Sequence, residues 1–182
     1  MRVLEKIRVA LLVNLVLIGS SEAASRVEIN AQVNATMKSF YAQVKGGKEL
    51  ASKAAGILVF PEVVKAGFGI GGEYGEGSLL VKGKPSAYYS IAGASIGLQF
   101  GAQVKSQIVL FMNSNILRKF RNSDGWKAGV DGSVALATLG AGGAIDTETE
   151  TAKQPIIGFI FSNKGLMYNL TFEGSKITRI KR

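Results

Sequence analysis

The 182-residue chain predicts an α+β fold: N-terminal helices packed on a strongly curved antiparallel β-sheet or partial barrel. Three observations predict it. Apolar residues recur at helical spacing between residues 26 and 54, and the spacing changes to that of strands from residue 56. Glycine occurs 23 times against 3 prolines. That share is well above the usual ~7%, and beside so much Val, Ile, Phe and Tyr it points to β-structure with close backbone approaches and tight turns. No linker-like stretch divides the helical part from the β-rich part, so residues 24–182 read as a single domain, large enough to bury a real core.

Residues 1–23, MRVLEKIRVALLVNLVLIGSSEA, read as a secretory signal peptide. Arg2, Lys6 and Arg8 form a basic start, the run 9–18 is apolar except for Asn14, and Ser21 and Ala23 stand at the small-residue positions of a cleavage site. The apolar run is about half the ~20 residues that a spanning helix needs. Cleavage is the first reading, and retention as an anchor is the alternative. The expected location is therefore outside the cytoplasm, in the periplasm or cell envelope, where no ATP or NAD pool is expected. The chain has no Cys, which excludes disulfides, thiolate nucleophiles, Cys-ligated metals and a lipid-modified N-terminal Cys.

The elements follow in order. Val33, Met37, Phe40, Tyr41 and Val44 form a helical stripe, Gly46-Gly47 breaks the helix, and a second short helix covers 48–55. The stripe has two readings: it packs on the core, or it faces a membrane as an amphipathic segment carrying Lys38, Lys45, Lys48 and Lys53. GILVF at 56–60 reads as a buried strand stopped by Pro61. AGFGIGGEY alternates, with Gly67, Gly69 and Gly71 on one face. GEG at 75–77 and KGKP at 82–85 read as turns, with the strand SLLV between them. SAYYSIAG, ASIGLQFGAQ and SQIVLFM read as strands, and NSNILRKF as a short helix capped by Asn113 or Ser114. WKAGVDGSVAL reads as a strand and 138–154 as a Gly-rich, then acidic, exposed loop. The rest is a β-meander with turns at 162–165 and 173–175.

Gly67, Gly69 and Gly72 stand in the order G-x-G-x-x-G. A dinucleotide fingerprint needs a helix opening at the last glycine and an acidic residue about twenty positions on. A glycine-rich strand and YYSIAGA stand there instead, so no nucleotide, cofactor or metal is expected. Gly93, Gly97 and Gly101 recur every four residues, but Ser95, Gln99, Gln103 and Lys105 are too polar for a membrane helix interface.

Catalysis is not expected either. Without His or Cys the usual bases and nucleophiles are missing, and Asp124 and Asp131 are carboxylates with no evident partner. Asp146, Glu148 and Glu150 alternate along one side of an extended chain but lack the glycine turn of a calcium loop. Charge is the stronger signal. The chain carries +9 with no His, a positive charge that does not switch near neutral pH, and removing residues 1–23 lowers it by one unit. Such a balance favours anionic partners, although many soluble proteins are simply basic. Arg118, Lys119 and Arg121 crowd the short helix; Lys176, Arg179, Lys181 and Arg182 crowd the C-terminus; Lys82 and Lys84 sit near Tyr88 and Tyr89. An exported protein seldom meets nucleic acid, so an anionic membrane is the expected partner.

GILVFPEVVKAGFGIGGEYGEGSLL, GLQFGAQ and PIIGFIFSNKGLMYNLTFEGSKITRI occur in this order along 56–180 and resemble the SYLF family, also called the Ysc84 family. The resemblance covers about residues 30–182. It implies lipid binding, with a lipid-contacting N-terminal amphipathic helix falling on about 26–54. The actin association of eukaryotic relatives is not carried over, because the leader reads as bacterial and their actin-binding extension is not recognisable here. Phosphatidylglycerol, cardiolipin and lipopolysaccharide phosphate are the anions expected for an envelope protein.

The reading is a non-enzymatic, exported lipid-binding domain. Lys45, Lys48, Lys53, Arg118, Lys119 and Arg121 would supply charge at the headgroup plane. Phe40 and Tyr41 would supply apolar contact if their face is not buried. The rival is a periplasmic structural or protein-interaction module with an envelope protein as its partner. An exposed apolar patch around Tyr88, Tyr89 and Trp126 would favour that rival.

Overall fold

The structure, a computed structural model, describes residues 24–137, 153–162, 165–166, 172 and 174–182. The expected signal peptide, residues 138–152 and 167–171, and the turn residues 163–164 lie outside the described residues.

Ser25 opens helix α1 (Arg26–Gln43). Its hydroxyl accepts from the Glu28 N–H at 3.2 Å, and the Glu28 carboxylate accepts from the Ser25 N–H at 3.1 Å. This reciprocal pair satisfies two amides that the first turn leaves without partners. Ile29, Val33, Met37 and Phe40 follow at helical spacing and are buried against the sheet. The chain then turns through extended Val44 and left-handed Gly46 into helix α2 (Gly47–Lys53).

The body is one long hairpin. Strand β1 (Gly56–Val81) and strand β2 (Lys84–Phe111) pair antiparallel through the two-residue turn Lys82-Gly83. Both turn residues have positive φ, 52° and 73°, the geometry whose twist matches that of flanking strands. Helix α3 (Ser114–Arg121) follows, then two-residue strands β3 (Trp126–Lys127) and β4 (Ala135–Leu136). Strand β5 (Ile156–Ser162) forms a hairpin with β6 (Gly165–Leu166), and β7 (Lys176–Ile180) closes the chain. Along its other edge β2 pairs with β7 at 88–92 and with β5 at 106–111. Strand β4 pairs with β5 in parallel.

The hairpin folds back on itself. Laid straight, the 26 residues of β1 would span about 85 Å. Yet Gly56, at its start, lies beside Leu79, near its end: a Cβ on Gly56 would come within 3.4 Å of Leu79 Cδ1. Between these ends the backbone of Gly77 meets that of Val59 so closely that a Cβ would sit 2.0 Å from the Val59 carbonyl oxygen. No other residue fits there. The expected turn at 75–77 is therefore strand, and its glycines serve contacts far away in sequence, Gly77 with Val59 and Gly75 with Glu62. The bend falls near the middle of the hairpin, where Gly67 pairs with Gly101 and Gly69 with Gly97, and where the register slips after Phe68. Residues 67–72 thus lie within a strand, and no helix opens after Gly72. The strand also runs through Pro61, where it was expected to stop. A register shift between Phe60 and Val63 takes the proline out of the ladder.

A buried ion pair spans the fold. Lys105 Nζ lies 2.7 Å from Glu73 Oε2, with the two side chains 4% and 9% exposed. Ser175 Oγ donates to Glu73 Oε1 at 2.7 Å. Val63, the ladder partner of Lys105, is ten positions from Glu73, about 33 Å along a straight strand. Removing one member leaves the other charge buried without its counterion, which costs about 3–5 kcal/mol.

The curl separates two cores. The outer one lies between α1, α2 and the sheet: Ile29, Val33, Phe40 and Leu50 pack on Val59, Ile108, Ile157 and Phe159. The Phe40 ring stands edge-on to Phe159 at 4.8 Å. The inner one fills the curl with Leu58, Phe60, Leu79, Tyr89, Phe111 and Ile177, among others. The segment 126–136, expected to be one strand, instead turns at 129–131: Gly129 has φ 86° and Asp131 accepts from the Lys127 N–H at 2.6 Å.

Candidate functional site

Helix α3 closes one end of the inner core. Asn113 starts it by accepting from the Ile116 N–H at 2.9 Å. Leu117 and Phe120 then face inward, and the Phe120 ring packs against Phe111, Tyr89 and Trp126 at 4.6, 4.9 and 5.9 Å. Anchored by those two residues, the helix turns Arg118, Lys119 and Arg121 out to solvent. All three stand in its last turn, where the carbonyl ends favour positive charge. Arg118 is further oriented by Asn115, whose Oδ1 accepts from it at 2.7 Å.

Strand β7 brings a second set of cations alongside. Arg179 pairs with Tyr89 across the ladder. It lines a cleft of about 350 Å³ together with Arg118 and Arg121 of α3. On its other side a groove of about 730 Å³ runs past Arg26, Tyr88, Arg179, Lys181 and Arg182. Arg26 donates to the Arg182 carbonyl, and Asn30 of α1 donates to the Tyr88 hydroxyl at 3.0 Å, tying the helix to the groove wall. Arg182 donates through Nε to Glu76 Oε2 at 3.0 Å and through Nη2 to Glu76 Oε1, a bidentate ion pair that balances its charge. Among the described residues neither lining contains an Asp or Glu side chain, but in the groove Arg26 is tied to the Arg182 main-chain oxygen and Arg182 to Glu76.

Tyr89 lies beneath this surface. It is 3% exposed, and its hydroxyl makes no hydrogen bond among the described residues. Burial pushes its phenol above the usual value of 10.0, while Arg179 and Arg121 pull the other way. Both guanidinium charges therefore act on the same buried oxygen.

The other expected cations stand elsewhere. Lys48 and half-exposed Tyr41 line a hollow of about 340 Å³ with Lys82 near the ends of β1. Lys45 is exposed. Lys53 is engaged with Glu49 at 2.8 Å, and its hydrogen bond and charge hold that carboxyl below the usual range. Phe40 corrects the expectation of apolar contact: it is fully buried in the outer core and offers nothing to a bilayer. Of the expected stripe, Val33, Met37, Phe40 and Val44 are buried, and Tyr41 departs from it by reaching solvent.

The structure therefore brings Arg118 and Arg121 together with Arg179, which was noted in the C-terminal cluster but not placed with them. It does not bring them to Lys45, Lys48 and Lys53. Arg26 and Arg179 become functional candidates only through the pairing of β7 with β2 and the seating of α1, both long-range contacts. The patch that would have favoured a protein-interaction surface is absent: Tyr89 and Trp126 are buried, and Tyr88 is half-buried and hydrogen-bonded.

The model of the Ysc84 family, described as Las17-binding protein actin regulator, matches residues 92–182. The chain belongs to the Ysc84 (SYLF) family. No curated protein matches it. The Ysc84 match begins within β2 and takes in α3 and β7, hence Arg118, Lys119, Arg121 and Arg179. Helices α1 and α2, with Lys45, Lys48 and Lys53, precede it.

Proposed function

We propose that this Ysc84-family protein is an exported, non-enzymatic lipid-binding domain that associates with anionic phospholipid membranes. The observation that carries the proposal is the convergence of Arg118, Arg121 and Arg179 around one cleft whose described lining has no carboxylate. Lys119 stands beside them in the last turn of α3, exposed. Like charges gathered in this way oppose folding and favour an anion that neutralises them. Each basic residue near an anionic bilayer contributes about 1 kcal/mol, so three or four acting together give salt-sensitive adhesion. Guanidinium groups suit phosphate in particular, because their fork donates two parallel hydrogen bonds.

The lipid-facing element is thus α3 with the end of β7, and α1 serves to cover the sheet. Co-sedimentation of the protein lacking residues 1–23 with phosphatidylglycerol vesicles and with phosphatidylcholine vesicles, at low and high salt, tests this. The expected result is pelleting with the anionic vesicles alone, lost at high salt. Equal pelleting with both, or with neither, rejects the proposal.

A second reading, a protein-interaction module of the envelope, has one observation in its favour. Val64 and Val104 face each other across the ladder and are 44% and 56% exposed. It predicts a stable protein partner and no dependence on lipid.

A further inference from the structure

The hollow where α1 and α2 meet the β1–β2 turn shares no lining residue with the cleft or the groove. It has a volume of about 340 Å³ and is lined by Tyr41, Lys48, Lys82 and an apolar floor that includes Ala51, Ile57 and Leu80. We propose that it binds a small monocarboxylate with a compact apolar body, the carboxylate between Lys48 and Lys82 and the body on Ile57 and Leu80. This site does not rest on membrane binding.

The lining divides by polarity. Ile57 and Leu80 are 9% and 6% exposed, so the floor is recessed, as in sites that enclose small ligands. Lys48 of α2 and Lys82 of the turn stand exposed beside it. Neither has an acidic partner among the described residues, and Glu49, next to Lys48 in sequence, is engaged by Lys53. Two ammonium groups beside an apolar floor suit one carboxylate, whose two oxygens take one of them each. A phosphate would set a further charged oxygen over the floor, and lysine lacks the fork that favours phosphate. Tyr41 supplies an aromatic wall, and burial raises its phenol above the usual 10.0, so its hydroxyl is a donor at neutral pH.

The backbone of Lys82 is the second, independent sign. Among the described residues it is the one non-glycine residue with positive φ, 52°. The first position of such a two-residue turn favours Asn, Asp or Gly, and a lysine is held there at a cost in stability. Strain of this kind gathers at ligand-binding positions. Asn would serve the turn better and would leave the hollow with one cation in place of two.

The test follows backbone amide shifts of the protein lacking residues 1–23 during titration with phenylacetate, acetate and 2-phenylethanol, in buffer without vesicles. Phenylacetate should shift the amides of Ile57, Leu80 and Gly83 to saturation. Acetate, which lacks the body, and 2-phenylethanol, which lacks the charge, should each bind about tenfold more weakly. Lys48→Gln should weaken phenylacetate about fivefold, the most that one exposed charge pair supplies. Lys82→Asn should weaken it by the same factor while raising the melting temperature, since Asn suits the turn. Lys45→Gln, which does not line the hollow, should leave affinity unchanged. Acetate binding as well as phenylacetate overturns the proposal, as do saturable shifts confined to other parts of the protein. Affinity that survives both Lys48→Gln and Lys82→Asn overturns it too, and so does a Lys82→Asn protein that loses stability along with affinity, because the lysine would then be serving the turn. None of these outcomes bears on vesicle pelleting, so the membrane reading stands or falls separately.

Discussion

Two helices of this protein use their residues in opposite ways. Helix α1 has 18 residues and buries five of them on the outer face of the sheet. Its cations Arg26 and Lys38 are twelve positions apart. Helix α3 has 8 residues, buries Leu117 and Phe120, and places three cations in its final turn. The longer helix fastens, and the shorter one presents. Length and an apolar stripe therefore do not mark the helix that presents clustered charge here. A helix that must cover a sheet cannot offer the same stripe to a bilayer, whereas one held by two anchors leaves the rest of its circumference free.

The sharpest way to break this contrast is Phe40→Ala. If α1 is a fastener, the variant should lose about 3–5 kcal/mol of stability, measured by urea unfolding, as large buried aromatics do. Its vesicle affinity, corrected for the folded fraction, should not change. A stable variant with lost affinity would make α1 the lipid-facing helix instead.

Arg118→Gln, Lys119→Gln and Arg121→Gln combined should do the reverse. Stability should stay within about 0.5 kcal/mol, because the side chains are exposed. Affinity for phosphatidylglycerol vesicles should fall by about 3 kcal/mol, or roughly a hundredfold. The same change at Lys45, Lys48 and Lys53 should cost less, since Lys53 is already engaged by Glu49.

The smallest effect concerns Tyr89, below the charged surface. Its folded-state phenol is raised above 10.0, so between that value and its folded pKa the unfolded chain releases a proton that the native protein keeps. Its contribution is complete below pH 10 and declines as pH rises beyond it. Tyr89→Phe should remove this part of the alkaline loss. At neutral pH it should change stability by no more than about 1 kcal/mol, because the buried hydroxyl gives up no hydrogen bond. Thermal melts of both proteins from pH 8 to 11 read the difference.

How far the sequence told this in advance depended on whether each feature was local. The stripe Val33, Met37, Phe40, Tyr41 and Val44 was legible except for Tyr41, which is half-exposed, and so were the Lys82-Gly83 turn and the Asn113 cap, because each is set within a few residues. The Ser25-x-x-Glu28 capping pattern was there to be read as well. The curved sheet followed from the glycine excess, although the reason for Gly77 did not. Gly-Glu-Gly resembles a turn until Val59 is known to press against it. Pro61 resembled a stop because a bulge that removes it from the ladder leaves no local mark. The segment 126–136 had the alternation of a strand, but Gly129 and Asp131 imposed a turn. Of the candidate site, the α3 cations were legible as a cluster. Their meeting with Arg179 was not, since it depends on β7 pairing with a strand some ninety residues earlier.

That pairing makes one short strand responsible for the basic surface. The seven residues after Ser175 hold Arg179, Lys181 and Arg182, which complete the cleft and the groove. Fraying of β7 from β2 would carry Arg179 away from both, while the outer core, which takes no residue from 176–182, and the α3 cations would keep their places.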